Sequence, residues 1–341
     1  MKKNNFWKKK NILITGISGF VGSNLAKNLS NNGANVVGLT KKKRKENSLL
    51  YYEKIHRKVN VIFGDIKDKK LIKRILKKYN IEICFHLAAQ VEVGSAKIKP
   101  YETWESNIKG TYTILESLRE HKKKIKSIVI ASSDKAYGEY GLDKMPYKEN
   151  YVLKPTFPYD TSKACADMIA KSYSSELFNL PIIITRFSNI YGPGQLNFTA
   201  LIPDLIRSCI LNKKFKMRGN GQSIRDYIHI DDIVDIYKLL SKNIYLNPKK
   251  YTGEVFNAGT NIPHKTKDIL SKIFLHGKKN KELKKILQSM KKNRTSGELS
   301  VQYMNYKKLN KHFGWKPKKK FQVILPEVYA WYENYFKNEY K

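Results

Sequence analysis

Short apolar runs alternate with longer amphipathic stretches over the first half of the chain. Asn11-Ile12-Leu13-Ile14-Thr15 and Asn35-Val36-Val37-Gly38-Leu39-Thr40 are apolar without polar alternation, the pattern of strands buried on both faces. Residues 59–66, 81–90, 127–133 and 182–187 repeat it. Between them apolar positions recur at helical spacing in 23–31, 69–78, 105–121 and 159–179. Strands alternating with helices predict an α/β fold of the doubly wound, Rossmann type with a parallel sheet. After Gly194 the rhythm changes. The pattern predicts a helix over 200–211, a hairpin-like 215–230, a helix over 231–241 and a returning strand at 255–259. A lysine-rich helix over 278–292 carries Leu283, Ile286, Leu287 and Met290 on one face, and a last helix covers 322–336. No repeat or flexible linker separates these parts.

The connections are as informative as the elements. Gly16-Ile17-Ser18-Gly19-Phe20-Val21-Gly22 lies between the first strand and the first helix. Glycines there let the backbone approach a pyrophosphate, and the helix N-terminus offers amides and a positive dipole end. The acid that would hold a ribose 2′-hydroxyl after the second strand is missing, and Lys41-Lys42-Lys43-Arg44 follows Thr40 instead. Cations at that point suit a 2′-phosphate, so NADP stands beside NAD. Asp65 ends the third strand, where it would bond the adenine amino group or cap the next helix. Ala88 and Ala89, at the end of the fourth strand, leave room for a cofactor, and His86 reads as a core residue. Ser132 and Ser133 end the fifth strand, where ligands sit in open α/β sheets. Residues 1–194 are the expected dinucleotide-binding domain. Residues 195–341 form mainly a smaller C-terminal α/β substrate lobe, with some segments returning to the first domain.

Composition narrows the class. The 341 residues are 41% hydrophobic and 12% aromatic, enough for a sizeable core. Net charge is +37, from 66 Lys+Arg against 29 Asp+Glu. Such a field attracts anions, but the lysines are spread over nearly every surface, so only incidental nucleic-acid binding is expected. Cys84, Cys165 and Cys209 are odd in number and far apart, without metal-ligand spacing, which fits reduced thiols in a cytoplasmic protein and no metal site. The basic residues 1–10 are followed by no apolar run of signal-peptide length. No stretch approaches the ~20 apolar residues of a membrane span.

Pro158-Tyr159-Asp160-Thr161-Ser162-Lys163 carries the chemistry. Four residues apart on a helix, Tyr159 and Lys163 share one face, one turn from each other. An ammonium near a phenol favours the phenolate, and a phenol so tuned takes a proton from a sugar hydroxyl near neutral pH.

Several further segments stand in a set order: Gly16/Gly19/Gly22, Asp65-Ile66, His86-Leu87-Ala88-Ala89-Gln90, Ser132-Ser133-x-x-x-Tyr137-Gly138, Tyr159-x-x-x-Lys163, Asn189-Ile190-Tyr191-Gly192-Pro193 and Arg225-Asp226-Tyr227-Ile228-His229-Ile230-Asp231-Asp232. With this set the chain, from residue 10 to about 318, resembles the nucleotide-sugar epimerases and dehydratases of the extended short-chain dehydrogenase/reductase family. After Ser133, the pair Asp134-Lys135 resembles the cytidine-diphosphate-glucose 4,6-dehydratases; the deoxythymidine-diphosphate-glucose enzymes have an Asp-Glu pair there. The resemblance implies a dehydratase with a transient 4-keto intermediate, with a 4-epimerase as the alternative and a non-enzymatic cofactor-binding protein as a remote third. It implies Ser133, Asp134, Lys135, Tyr159 and Lys163 as catalytic residues. It implies NAD, or NADP, held by Gly16, Ser18, Gly19, Phe20, Val21, Gly22, Thr40, Lys41, Asp65, Ile66, Leu87, Ala88, Ala89, Gln90, Ala131, Ser132, Tyr159, Lys163 and Phe187. The nucleoside-diphosphate sugar falls to Val91, Asn189, Asn197, Leu201, Arg218, Arg225 and Arg294, with arginine preferred at phosphate for its bidentate fork. Members often pair through two long helices, so a homodimer is expected.

Overall fold

The computed structural model describes residues 5–41, 48–217, 219–290 and 299–339. Its strands are β1 (Asn11–Thr15), β2 (Asn35–Thr40), β3 (Asn60–Phe63), β4 (Ile83–His86), β5 (Ser127–Ala131), β6 (Ile182–Phe187), β7 (Asn189–Tyr191), β8 (Ile224–Arg225), β9 (Tyr227–His229), β10 (Val255–Ala258), β11 (His264–Lys265) and β12 (Val301–Gln302). Seven of them form one sheet in the order β10-β6-β5-β4-β1-β2-β3. From β1 to β6 every neighbouring pair is parallel. Ile14 faces Gly38 on one side and Phe85 on the other. Ile12, Leu13, Ile14, Phe85, Val129 and Ile183 are fully buried, as continuous apolar runs between two helical layers require. The order reverses between β1 and β4, and ligands of open α/β sheets sit beyond the strand ends at such a reversal.

The elements of the first half stand where the pattern put them, and their ends differ for local reasons. The first helix, Phe20–Asn31, begins directly after Gly19 rather than at residue 23. The helix Lys69–Lys78 is capped by Asp68, whose carboxylate accepts from the Leu71 amide at 3.0 Å; Asp65 is thereby left for another role. The predicted helix over 105–121 starts earlier, at Pro100, and contains one wide π turn, Glu105–Lys109, before Gly110–Glu120. The helix of Tyr159 and Lys163 spans Pro158–Tyr173, with Pro158 in its first turn. It stops short of residue 179 because Ser174 turns its hydroxyl back to the Lys171 carbonyl at 2.7 Å, and Asn179 takes a left-handed φ of 50°.

The chain divides into two compact units: Met1–Tyr137, Val152–Arg186 and Ile233–Phe256 in the first, and Gly138–Tyr151, Phe187–Asp232 and Asn257–Lys341 in the second. Ile233–Phe256 thus lies in the first unit and Gly138–Tyr151 in the second. In the second unit the expected hairpin over 215–230 is not formed. β8 pairs antiparallel with β11 and parallel with β12, whereas β9 pairs parallel with β7. Asp226 stands between β8 and β9, and it decides the outcome. Its buried carboxylate accepts from the amides of Thr260, Asn261 and Met304 and from the Thr260 hydroxyl. A side chain anchored that way carries the backbone out of one sheet and into the next, where a two-residue turn would have folded it back. Replacing Asp226 by Ala strands the buried Met304 amide and the half-buried donors of Thr260, at about 1–3 kcal/mol for each one that water does not reach. We expect a loss of at least about 3 kcal/mol in denaturant unfolding, and a loss under about 1 kcal/mol would contradict this account.

Candidate active site

The glycine turn closes the space between β1 and the helix Phe20–Asn31. Gly16 has φ +73°, and a Cβ there would meet the Ala88 backbone at 2.9 Å. A Cβ on Gly22 would lie 2.3 Å from the Gly16 carbonyl oxygen. Strand, turn and helix therefore touch, and small Ala88 makes that possible. No side chain caps the first turn of the helix, so its amides face the position a pyrophosphate would take. At the end of β2, the Thr40 hydroxyl lies 2.7 Å from that of Ser18. Lys41 pairs with Asp65 at 3.1 Å. Burial opposes ionisation of Asp65, but the Lys67 amide and the Lys41 ammonium outweigh it and hold the carboxyl below its usual range. Lys42, Lys43 and Arg44, on which the NADP expectation also rested, lie outside the described residues. The cradle and the bare helix end fit a dinucleotide.

At the end of β4 the polar groups form one chain of hydrogen bonds. Thr111 donates to the Asn107 carbonyl at 2.6 Å, so its oxygen accepts from His86 Nε2 at 3.1 Å. His86 Nδ1 then accepts from Thr15 at 2.8 Å. The Thr15 oxygen accepts from the amides of Leu87 and Ala88. Burial, and the Lys163 charge after it, push His86 down to about 3. It is a neutral core residue, as expected, and its work is to fix Leu87 and Ala88.

The helix Pro158–Tyr173 brings Tyr159 and Lys163 inside, at 9% and 6% exposure. Buried Ala164, Ala166 and Ala170 let it lie close, and it packs against the short 3-10 turn Asp134–Tyr137 that follows β5. That turn carries Asp134, which is buried, and Lys135, which is half-buried. Ser133 donates to the Asp134 carboxylate at 3.0 Å and accepts from the Lys135 amide at 3.2 Å. Ser133 also hydrogen-bonds Tyr159. Serine, tyrosine, carboxylate and both lysine-bearing elements are thus gathered in the first unit.

The electrostatics differ from the expectation. Lys163 directs its ammonium to the Ala131 carbonyl. Burial raises the Tyr159 phenol well above its usual range, the Asp134 and Asp160 carboxylates push it further, and only the Ser133 hydrogen bond acts against them. In this cofactor-free state the phenol is firmly protonated. Lys163 itself is pulled down to about 8 by burial, against the opposing influence of Asp167.

Four positions were missed as site residues. Asn107, in the π turn, accepts from the Gln90 amide at 2.7 Å and donates to the Gln90 carbonyl and to Ser162. Ser162 in turn donates to the Tyr159 carbonyl at 2.7 Å. Asp167 and Arg186 form a bidentate pair at 2.8 and 2.9 Å, buried on both sides. Only Asp167 left a signal in the sequence: it stands one helical turn beyond Lys163. The others depend on chain segments far apart in number.

Of the substrate residues, Val91 is 54% exposed in the first unit. The remaining described ones belong to the second. Asn189 donates to the Asp226 carbonyl at 3.3 Å. Asn197 accepts from the Thr199 amide and hydroxyl, and Leu201 opens the helix Leu201–Ile210. Arg225 is buried, and its guanidinium donates to the carbonyls of Ile224, Leu299 and Ser300. Phe187, a cofactor candidate, is buried at the end of β6. Arg218 and Arg294 lie outside the described residues.

A parallel sheet reversing at a glycine turn, with a buried Tyr-x-x-x-Lys helix beside it, is the architecture of the extended short-chain dehydrogenases/reductases. More narrowly, a family model described as GDP-mannose 4,6 dehydratase matches residues 13–328, and the chain belongs to that family. A dTDP-D-glucose 4,6-dehydratase of Dictyostelium discoideum is 33% identical over 77% of this chain, and the alignment spans 61% of that protein's own length. A CDP-glucose 4,6-dehydratase of Salmonella typhimurium is 27% identical over 98% of this chain and 94% of the relative. Among solved structures, the dTDP-glucose 4,6-dehydratase of Bacillus anthracis in complex with NAD is 29% identical, with a TM-score of 0.81 over 95% of this chain and 97% of that one.

A buried lysine that titrates near 8 has a measurable consequence. Its unfolded value is about 10.4, so the unfolded chain binds the proton more tightly. Stability therefore rises as pH climbs from about 8 toward 10, and below pH 8 the full penalty is present. Lys163→Met should raise the melting temperature of the cofactor-free protein at pH 7 by about 3 °C, with the gain shrinking by pH 10. Equal shifts at the two pH values would refute the assignment.

Proposed function

We propose that the protein is a nucleotide-sugar 4,6-dehydratase, removing one water from a nucleoside-diphosphate hexose to leave a 4-keto-6-deoxy sugar. The observation that carries this reading is the buried Asp134 carboxyl beside Ser133 and Tyr159, with Lys135 next on the same turn. Elimination needs an acid and a base next to the oxidising pair, and simple 4-epimerisation does not.

NAD, when bound, would supply a reversible hydride acceptor, so that oxidation at C4 and reduction at C6 leave no net redox change. The glycine turn and the bare helix end would hold its pyrophosphate, and Lys163 its nicotinamide ribose. Tyr159 takes the proton of the 4-hydroxyl, and Ser133 hydrogen-bonds the same oxygen. The phenol is strongly protonated in the free protein, so it depends on positive charge arriving beside it: Lys163 and an oxidised nicotinamide both favour the phenolate. The 4-ketone acidifies the C5 hydrogen. Lys135 removes that proton or steadies the enolate, and Asp134, protonated, delivers a proton to the departing 6-hydroxyl, which leaves as water. A proton returned to C5 completes the balance.

CDP-glucose is the first substrate to try, because Asp134-Lys135 resembles the pair of the CDP-glucose enzymes. Arg225 remains the candidate for the diphosphate, and engaging it means exchanging carbonyl partners for phosphate oxygens. For assembly, Tyr101, Trp104 and Tyr112 on residues 100–120 and Met168 on Pro158–Tyr173 are all exposed. These apolar side chains on two long helices support a homodimer packed through them. Among the described residues no helix is long and apolar enough to cross a membrane. The three free cysteines, two of them buried, suit a cytoplasmic setting.

Incubation with CDP-glucose, dTDP-glucose, GDP-mannose and UDP-GlcNAc followed by mass spectrometry tests the reading: a product lighter by one water supports it, and an isomer of unchanged mass would mean epimerisation. Lys135→Ala should cut dehydration at least about 100-fold while cofactor reduction remains detectable; unimpaired turnover would remove Lys135 from the mechanism. Met168→Glu should shift the protein to monomer in light scattering, and an unchanged mass would remove that helix from the interface.

A further inference from the structure

The buried Arg186 guanidinium joins the helix of Tyr159 and Lys163 to the turn of Asp134 and Lys135. It extends from β6. Through Nε and Nη2 it holds both oxygens of Asp167, on the helix of Tyr159 and Lys163. Through Nη1 it donates to the Tyr137 hydroxyl at 2.9 Å, and its carbon lies 4.8 Å from the centre of the Tyr137 ring. Tyr137 is fully buried and is the last residue of the turn Asp134–Tyr137, which carries Asp134 and Lys135. One planar group with fixed donor directions therefore joins the oxidising pair to the eliminating pair. A lysine at the same place would supply charge without that geometry.

We propose that Arg186, acting through Asp167 and Tyr137, is a positioning residue that sets the Asp134–Lys135 turn against the Tyr159–Lys163 helix. This rests on the dehydratase reading. Arg186 touches neither substrate nor cofactor in this role. Its loss, or the loss of its bond to Tyr137, lets the turn shift while the helix keeps its place through Asn107, Ser162 and the Ala131 carbonyl. Elimination then suffers and sugar oxidation does not. A purely structural role would lower both steps together through the folded fraction.

Tyr137→Phe is the sharpest probe, since it removes one hydroxyl from a buried ring and leaves the Arg186–Asp167 pair in place. In the cofactor-free protein, amide hydrogen exchange across residues 133–138 should quicken about tenfold, with no change across 159–167. In single turnover with NAD and the active sugar, the rise of reduced nicotinamide absorbance should stay within about twofold, and loss of water should slow about tenfold. If Tyr137→Phe does not fold, Arg186→Lys is read in the same way, with the same split expected. Unchanged exchange at 133–138, or equal slowing of both steps, overturns the inference. If the wild-type protein oxidises a sugar but releases no water, the dehydratase reading fails; the exchange result still judges the positioning of the turn.

Discussion

An ammonium buried at the end of a parallel sheet is the constraint around which this structure is arranged. Charge is costly in the interior, and Lys163 shows it by titrating near 8. It is tolerable only because a carbonyl at the end of β5 accepts from it and Asp167 lies one turn away. Asp167 would itself be an expensive buried charge without the two-point grip of Arg186. A functional lysine thus recruits a carboxylate, and the carboxylate recruits a guanidinium. The chain of compensation ends at Tyr137, on the same turn as Asp134 and Lys135.

The same logic organises the cofactor side. A dinucleotide needs backbone at close quarters, and that demands absent side chains: glycine at 16 and 22, and alanine at 88. Polar groups that would otherwise be stranded there are consumed internally. The Thr15–His86–Thr111 chain takes up the amides of Leu87 and Ala88 at the end of β4 and leaves the histidine uncharged beside Lys163. A second cation in that place would make Lys163 harder still to keep protonated. The neutral histidine is in that sense part of the electrostatics of the active site, although it takes no step in the reaction.

The state of Tyr159 connects structure to mechanism. Free of cofactor, the phenol has carboxylates for neighbours and is less acidic than in water. The Asp134 and Asp160 carboxylates beside it work against its ionisation. Positive charge arriving beside it, from a bound dinucleotide, would act the other way. Without that charge the protein holds the phenol protonated.

The local pattern of the chain determined a good deal by itself. Strand and helix positions through residue 187, the glycine turn and the pairing of Tyr159 with Lys163 on one helical face follow from short-range spacing, because buried parallel strands and amphipathic helices are written in consecutive residues; the family came from the resemblance of its motifs. Tertiary structure decided the rest. The stretch over 215–230 reads as hairpin-like until the Asp226 carboxylate, claimed by amides at 260, 261 and 304, sends β8 and β9 to different sheets. The partners of Lys163 and Arg186, the neutrality of His86 and the raised pKa of Tyr159 depend on which side chains meet across dozens of residues. Desolvation and hydrogen bonding between distant segments are properties of the packed interior, and no window of the sequence contains them.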